Sequence, residues 1–418
     1  MIQAAQPVRC GCLLCVLHGC CHQAVEGIES SKFESDTTLE EAHDDSHHCL
    51  AAARRPPPRG IMLRRIGCFA VLVSFASGCS REERPQAGGD GSQSEGKALT
   101  GAGATFPAPL YTKWFDAYSK EAGVRINYQS IGSGGGIRQF VQGTVDFGAT
   151  DGPMTDEQIA GVKGNVMHVP TVLGAVSVTY NLPSVGATEL AFDGKILGDI
   201  FLGRINKWND RRIAALNPDV TLPADDIVVV HRSDGSGTTF IFTDFLSKVS
   251  PEWKGKVGKG TSVNWPIGLG GKGNEGVTQQ VKQSPGTIGY VELIYAISNK
   301  LPSARIRNSA GALVQPTLKS VAAAAAGAKL PPETDFRVSI TNAAGPDSYP
   351  ISSFTWLLIR REDPDTVRAR TIGTFVKWML EPAAQRMAAD LHYAPLPVPV
   401  IELVRQRLGT GGESISAR

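Results

Sequence analysis

Most of this chain lacks cysteine. All eight cysteines precede residue 80, so residues 80–418 contain none, and no disulfide framework can hold the domain that these residues form. A domain without cysteine is compatible with any redox compartment. Its cellular location must therefore be inferred from targeting signals.

A strong net charge is also lacking. The chain has 42 Lys+Arg and 40 Asp+Glu, which gives a formal net charge of +2. Residues 79–418 hold 35 of those basic and 32 of those acidic side chains. So small an excess excludes nucleic-acid binding by electrostatic steering, and any capture of an anion must depend on local geometry.

No transmembrane anchor is expected near the start, because the apolar run Ile66–Phe75 is shorter than the roughly 20 residues that span a bilayer. This run follows the basic segment Met62–Arg65, and small residues at 76–78 lead to Cys79. The order predicts a bacterial lipoprotein signal peptide at residues 62–78, with Cys79 as the lipidated first residue. An ordinary secretory signal peptide that is cut nearby is the alternative.

The segments on either side of the signal peptide have separate interpretations. Residues 1–61 precede a complete signal peptide that has its own Met62, so we interpret them as a non-native upstream extension. Their cysteines and histidines show no regular four-ligand spacing, so we predict no metal site and no cofactor. Residues 79–97 are polar and have no apolar periodicity, which predicts a flexible tether between lipid and domain.

One segment places hydroxyls, glycines and an arginine where a predicted strand meets a predicted helix. The apolar run Asp226–Val230 favours a buried strand, and residues 238–248 favour an amphipathic helix. The first N–H groups of a helix lack intrahelical partners and lie at the positive end of its dipole. Between the two elements, Arg232 offers a fork of N–H donors, and Ser236 and Thr238 offer hydroxyls. The pattern indicates an oxyanion site, although such a segment alone is usually only a helix cap.

Two further segments have the same character. Leu99–Thr105 is predicted to be a glycine-rich loop, and Pro107 follows it at the start of an amphipathic helix. The predicted strand Arg125–Ile131 runs into the glycine-rich stretch 132–136, with a helix after it. Three such loops could be unrelated turns. If they converge, they form a cage of backbone dipoles and hydroxyls that can hold a small anion.

Predicted strands and helices alternate along the domain, which favours the α/β class. The predicted strands lie at residues 125–131, 169–180, 226–231, 286–292 and 351–360. The predicted helices lie at residues 108–121, 136–143, 196–204, 238–248, 276–282, 317–327, 364–380 and 382–390.

Five motifs resemble those of the substrate-binding protein of the phosphate-specific ABC transporter, and they occur in that family's order. They are Gly-Ala-Gly-Ala-Thr-Phe-Pro-Ala-Pro at 101–109, Ile-Gly-Ser-Gly-Gly-Gly at 131–136, Val-Asp-Phe-Gly-Ala-Thr-Asp-Gly-Pro at 145–153, Arg-Ser-Asp-Gly-Ser-Gly-Thr at 232–238 and Trp-Pro-Ile-Gly-Leu-Gly-Gly-Lys-Gly-Asn at 265–274. The resemblance extends from about residue 98 to the C-terminus. Gly134 and the segment 150–152 depart slightly from the family's pattern, but neither departure removes a donor assigned to the ligand.

The resemblance implies a two-lobed type II periplasmic-binding fold, with a ligand cleft between the lobes that closes when ligand bridges them. The crossings between lobes are expected near Tyr180 and Phe354. Lobe 1 would then comprise residues 98–179 and 355–418, and lobe 2 residues 180–354. The implied function is high-affinity binding of inorganic phosphate, without catalysis, and its delivery to the permease and ATPase of the transporter. We expect a lipid-anchored monomer in the periplasm or on the cell-envelope surface, without a nucleic-acid partner.

The resemblance also implies the residues that contact the ligand. The implied phosphate-binding residues are Thr105, Phe106 through its backbone N–H, Ser133, Asp151, Arg232, Ser236, Gly237 and Thr238. Asp234 is expected to hold the Arg232 guanidinium in place. An ionised Asp151 would accept a hydrogen bond from the phosphate O–H, which sulfate lacks at neutral pH.

Other functions fit the residues less well. A P-loop is excluded, because Gly273 follows Gly271-Lys272 and Pro266 stands where the first glycine is needed. Lys272 could contact a ligand, but a glycine loop that packs under the cleft is the simpler interpretation. A binder of another oxyanion, such as sulfate or molybdate, is one alternative. A phosphatase with Ser236 as nucleophile is a weaker one.

Overall fold

The computed structural model describes residues 98–186, 188–328, 330–331 and 334–409. The predictions made for residues 1–97 lie outside the described residues. They concern the upstream extension, the signal peptide, the lipidated Cys79 and the tether.

Eleven strands occur in the described part of the chain. They are β1 (Ala98–Gly103), β2 (Arg125–Ser130), β3 (Phe147–Thr150), β4 (Val166–Asn181), β5 (Ala191–Phe192), β6 (Val228–Arg232), β7 (Leu269–Gly271), β8 (Thr287–Glu292), β9 (Arg305–Arg307), β10 (Leu313–Val314) and β11 (Ser352–Arg360).

Eight of these strands form one sheet in the order β2-β1-β3-β11-β4-β8-β6-β7, and the other three form a small sheet in the order β10-β9-β5. At one end of the large sheet, β1 pairs in parallel with β2 and β3. At the other end, β6 pairs in parallel with β7 and β8. We call these the first and the second strand group. The antiparallel strands β11 and β4 join them.

The long strand β4 passes from one strand group to the other. Its first part pairs with β11 as far as Ala175, and its remainder pairs with β8 from Val176 onward. The strand is rich in valine and buried along almost its whole length, as is typical of a strand covered on both faces. Because β4 and β11 are the central pair, they are the segments through which the two groups are connected.

Thirteen α-helices accompany the strands in the described residues, with a short 3₁₀ turn at Pro183–Val185. They are α1 (Ala108–Ala122), α2 (Ser133–Gln142), α3 (Asp156–Ala160), α4 (Gly194–Phe201), α5 (Arg211–Leu216), α6 (Gly237–Val249), α7 (Pro251–Lys256), α8 (Gly273–Gln283), α9 (Leu293–Ser298), α10 (Leu318–Ala326), α11 (Thr366–Met379), α12 (Pro382–Ala389) and α13 (Val398–Gly409). Within the described ranges, none of the helices combines the length and the apolarity that crossing a membrane requires.

The helices pack their apolar sides against the large sheet and bury most of the tryptophans. Trp114 on α1 is fully buried, and its Nε1 donates a hydrogen bond to the carbonyl of Ala384 on α12 at 2.9 Å. Trp208 and Trp253 are likewise fully buried beside the second strand group. The tryptophans named here contribute to packing.

The predicted α/β class is confirmed, and so is the strand-to-helix unit formed by β6 and α6. Two local predictions are wrong. Leu99–Gly103, predicted as a loop, belongs to β1, and Ser133–Gly136, predicted as a loop, is the first turn of α2. In both segments tertiary packing outweighs the low strand or helix propensity of glycine.

Candidate functional site

The candidate site lies where the strands of both groups end. Thr105 follows β1, Ser133 follows β2 and Asp151 follows β3, so all three lie beyond the carboxyl ends of parallel strands. Arg232 is the last residue of β6, in the second group. In open α/β sheets ligands bind at this edge, because the helix N-termini and the loops meet there.

The residues after the first strand group are buried and firmly held. Thr105, Ser133 and Asp151 are 3%, 0% and 1% exposed. The hydroxyl of Tyr295 donates to the carbonyl of Thr105 at 2.7 Å, and the hydroxyl of Tyr393 donates to the carbonyl of Phe106 at 2.7 Å. These bonds fix the main chain around Phe106. Its backbone N–H has no acceptor among the hydrogen bonds of the described residues, so this donor is available to a ligand.

Arg232 is held by a bidentate ion pair. Its Nε donates to Oδ1 of Asp234 at 2.8 Å and its Nη2 donates to Oδ2 at 2.6 Å. Nη1 donates to the hydroxyl of Thr238 at 3.2 Å. Only 1% of the Arg232 side chain is exposed. A guanidinium fixed on two sides in this way presents its remaining N–H in a defined direction.

The start of α6 supplies further donors. Ser236 is the N-cap, and its Oγ accepts a hydrogen bond from the N–H of Thr239 at 3.0 Å. That bond uses the hydroxyl as an acceptor and leaves its proton to be donated elsewhere. Across the described residues, the backbone N–H of Thr238 has no recorded acceptor. The helix therefore directs a hydroxyl, a backbone N–H and its dipole at the same place.

Direct hydrogen bonds connect the two sides of the site. The N–H of Gly237 donates to Oγ of Ser133 at 3.1 Å, and the N–H of Gly134 donates to the carbonyl of Gly235 at 2.8 Å. A Cβ at Gly237 would lie 2.5 Å from both Oγ of Ser133 and Oδ2 of Asp151. Only glycine permits this approach, and the two sides are closed on each other.

All eight residues implied to bind phosphate thus lie in one buried cluster, together with Asp234. Lys272 does not join them, because it is exposed where α8 begins. Two members of the cluster were not among the predicted residues. Asn274 contacts the hydroxyls of Thr105 and Thr238, and Thr355 on β11 donates to Oδ1 of Asp151 at 2.7 Å. Asn274 ends the last of the five motifs, which was the one available signal for it.

Burial governs the charge of Asp151. It raises the pKa of this carboxyl to about 7, against the opposing effects of the Thr355 hydrogen bond, the positive Arg232 and the Ser133 hydroxyl. Burial also raises the pKa of Asp234, but the hydrogen bonds and charge of Arg232 outweigh this effect and leave that pKa below the usual aspartate value. Asp234 therefore stays ionised as the partner of Arg232, while Asp151 exchanges a proton near neutral pH.

The cluster can complement an oxyanion that carries a proton. Its donors are hydroxyls, backbone N–H groups and one guanidinium, and Asp151 supplies an acceptor. No group of three or more His, Cys, Asp and Glu that could hold a metal ion occurs in the described ranges. A cage of fixed dipoles of this kind can bind a small dehydrated oxyanion in a closed cleft.

The fold and the cluster together define an α/β binding protein with a buried polar site where its two strand groups meet. The model of the PBP superfamily domain matches residues 85–383. The chain is 43% identical over 338 residues to a phosphate-binding protein PstS of Xylella fastidiosa, covering 81% of this chain and 92% of that protein. It is 45% identical over 318 residues to the PstS of Pasteurella multocida, covering 76% and 91%. This chain belongs to the PBP superfamily and, within it, to the family of the phosphate-binding protein PstS.

The fold is also found in solved structures. A high-affinity periplasmic phosphate-binding protein bound with phosphate superposes with a TM-score of 0.62 at 24% identity, covering 76% of this chain and 96% of that one. This similarity concerns the fold, which is the type II periplasmic-binding fold expected from the sequence motifs.

Proposed function

We propose that this protein binds inorganic phosphate with high affinity and delivers it to the permease of an ABC transporter for import. One observation carries the proposal. Hydroxyl, N–H and guanidinium donors converge in a buried cleft around a single carboxyl acceptor, Asp151. Phosphate near neutral pH has unprotonated oxygens for the donors and an O–H for the acceptor. The relatives named phosphate-binding protein PstS support the same ligand.

Two alternatives fit the cluster less well. Sulfate or molybdate would satisfy the donors, but neither has an O–H that could donate a hydrogen bond to the ionised carboxyl of Asp151. A phosphatase would need a base beside Ser236, whose hydroxyl caps α6. In the described residues, His168 accepts from the N–H of Met154 through Nε2, and His231 bonds at its own strand end. A binding protein without catalytic activity is therefore the better proposal.

Calorimetric titration of the domain from Ala98 onward tests the ligand. We expect one saturable phosphate site without added metal or nucleotide, because the cluster provides donors but not metal ligands. Sulfate titrated under the same conditions at pH 8 should bind far more weakly. Absence of heat and saturation up to millimolar phosphate would contradict the proposal, and release of phosphate from an ester substrate would favour the phosphatase.

The lobe boundaries follow from the same proposal. Residues 98–179 and 355–418 form lobe 1 and residues 180–354 form lobe 2, so that the central strands β4 and β11 connect the lobes. Closure brings Ser133 and Gly237 together. Phosphate that contacts both sides stabilises the closed form. A permease that binds the closed form better than the open one then receives loaded protein.

We further propose that the mature protein is a monomer held to a bacterial membrane through lipid on Cys79, in the periplasm or on the envelope surface. The transporter's permease and ATPase are its partners. Mass spectrometry of protein extracted from membranes should show a modified N-terminal Cys79. The Cys79→Ala variant should remain unlipidated, while its domain binds phosphate normally. A wild-type protein that starts elsewhere and fractionates entirely with soluble proteins would overturn this anchor.

A further inference from the structure

Asn274 is fully buried at the start of α8, where it joins two hydroxyls of the site. Its Nδ2 lies 2.8 Å from Oγ1 of Thr105 and 3.2 Å from Oγ1 of Thr238. Its backbone N–H also donates to Oγ1 of Thr105, at 3.3 Å. One amide therefore contacts a hydroxyl that follows β1 and a hydroxyl at the start of α6.

The main chain fixes which way this amide faces. The backbone N–H of Glu292 lies 2.9 Å from Oδ1 of Asn274. A backbone N–H can only donate, so the atom that it meets must be the amide oxygen. The NH₂ group then faces Thr105 and Thr238, and it has one hydrogen for each hydroxyl.

The hydrogen bonds that the two hydroxyls accept determine whether they can donate or accept toward a ligand. A hydroxyl has one proton and two lone pairs. Oγ1 of Thr105 accepts two hydrogen bonds from Asn274, and Oγ1 of Thr238 accepts one from Asn274 and one from Nη1 of Arg232. With their lone pairs engaged, the hydroxyls can only donate. No acceptor for either proton occurs among the hydrogen bonds of the described residues.

We infer that Asn274 is a positioning residue that makes the hydroxyls of Thr105 and Thr238 obligate donors, so that only unprotonated ligand oxygens can lie beside them. The protonated oxygen of phosphate must then face the remaining acceptor, Asp151. This inference rests on the proposed phosphate binding and deepens it, because it identifies what decides which ligand oxygen carries the proton.

Two substitutions separate this role from simple packing. Asn274→Asp keeps the oxygen that meets Glu292 but replaces the NH₂ by a second oxygen, so both hydroxyls turn their protons toward it and away from phosphate. Asn274→Leu removes the donor at similar volume and leaves the hydroxyls free to rotate toward the ligand. We expect Asn274→Asp to weaken phosphate binding about 100-fold at pH 8. Asn274→Leu should weaken it less than about tenfold. Equal losses would overturn the inference.

A mutant cycle distinguishes hydrogen-bond polarity from charge, and the pH profile checks that the effect comes from the ionised carboxylate. As the pH falls, the introduced carboxyl gains a proton that it can donate to a hydroxyl, so the ratio of variant to wild-type dissociation constants should fall. Arg232, Asp151, Asp234 and Glu292 also lie in or next to this cluster, but they are present in both proteins. The same ratio of dissociation constants for Asn274→Leu should not change with pH. In a Thr105→Val/Thr238→Val background, Asn274→Asp should cost less than about tenfold. An undiminished cost there contradicts action through the hydroxyls.

Wild-type titration in the same series keeps this test separate from that of the proposed function. If the wild type fails to bind phosphate, the proposed function is wrong; if it binds but the cycle shows no coupling, only the role of Asn274 is wrong. Circular dichroism and thermal melting check that each variant folds. Should the Asn274 variants not fold, Thr105→Val and Thr238→Val keep the inference falsifiable, since wild-type affinity in either variant would show that its hydroxyl does not donate to phosphate and would overturn the inference.

Discussion

Replacing Arg232 by alanine is expected to weaken phosphate binding at least about 100-fold. The change removes charge-assisted donors to the anion, and it leaves the half-buried carboxylate of Asp234 without the partner that now holds it at 2.6 and 2.8 Å. Truncating one partner of a buried, hydrogen-bonded charge pair between protein and ligand typically costs about 2–5 kcal/mol of binding free energy, and each 1.4 kcal/mol corresponds to roughly tenfold in affinity. Calorimetry on wild type and variant at one ionic strength measures the difference.

Two control variants sharpen the interpretation. Arg368→Ala also removes an arginine that pairs with an aspartate, Asp363, but this pair lies at α11 and away from the cleft. Its phosphate affinity should equal that of the wild type. The double variant Arg232→Ala/Asp234→Ala should regain part of the loss, because the unpaired carboxylate beside the anion is gone. An Arg232→Ala protein within tenfold of the wild type would show that the guanidinium does not bind the ligand.

The strand-to-helix unit of β6 and α6 could be predicted because its signals are local. A run of β-branched residues ends at Arg232, and the serine and glycine at 236 and 237 precede an amphipathic helix. Each of these features acts within a few residues of itself. The site residues on this unit were therefore identifiable from sequence patterns together with the motif resemblance.

β1 was not predicted, because packing against β3 determines its residues more than strand propensity does. A Cβ at Gly101 would lie 2.2 Å from the ring of Phe147, and one at Gly103 would lie 2.0 Å from the carbonyl oxygen of Ala149. Glycine is thus required where β1 lies against β3, although glycine is disfavoured in strands. In the sequence alone, the glycines of this segment are typical of a loop.

Thr355 and Asn274 could not be placed in the site for a different reason. Thr355 is one of several polar residues of β11, and its bond to Asp151 depends on the antiparallel pairing of β11 with β3. Asn274 meets a hydroxyl 169 positions away in the chain. No local pattern encodes such contacts, because the assembled sheet creates them.

The sequence analysis treated Asp151 as ionised, whereas its surroundings in the structure let its charge change near neutral pH. Burial raises its pKa to about 7, so in the closed cleft, before an anion binds, the carboxyl is mostly protonated below pH 7 and mostly ionised above it. Above that pH it can accept the O–H of phosphate. Below it the neutral carboxyl becomes a donor, and a fully ionised anion can be tolerated beside it.

Discrimination against sulfate should therefore depend on pH. Sulfate has no proton to offer, so it requires a protonated Asp151, and its affinity should fall about tenfold per pH unit above pH 7 and level off below. Phosphate carries its own proton, so its affinity should fall much less over the same pH range. The other charged or titratable groups in or next to the cluster are the Arg232–Asp234 ion pair and the buried Glu292, whose pKa burial raises well above the usual glutamate value. Rejection by an unpaired buried group can reach roughly 10⁴–10⁵-fold, well beyond what shape alone provides.

The Asp151→Asn variant tests this assignment directly. Its amide is neutral at every pH and can either accept a hydrogen bond from phosphate or donate one to sulfate. Phosphate binding should therefore weaken only modestly, while sulfate should bind more tightly at pH 8. The pH dependence of the sulfate dissociation constant should disappear as well. Calorimetric titration of both anions at pH 6, 7 and 8, on wild type and variant, gives the ratio at each pH. If the variant keeps the wild-type ratio and its pH dependence, selectivity lies outside Asp151, and the hydroxyls that Asn274 holds become the groups to examine next.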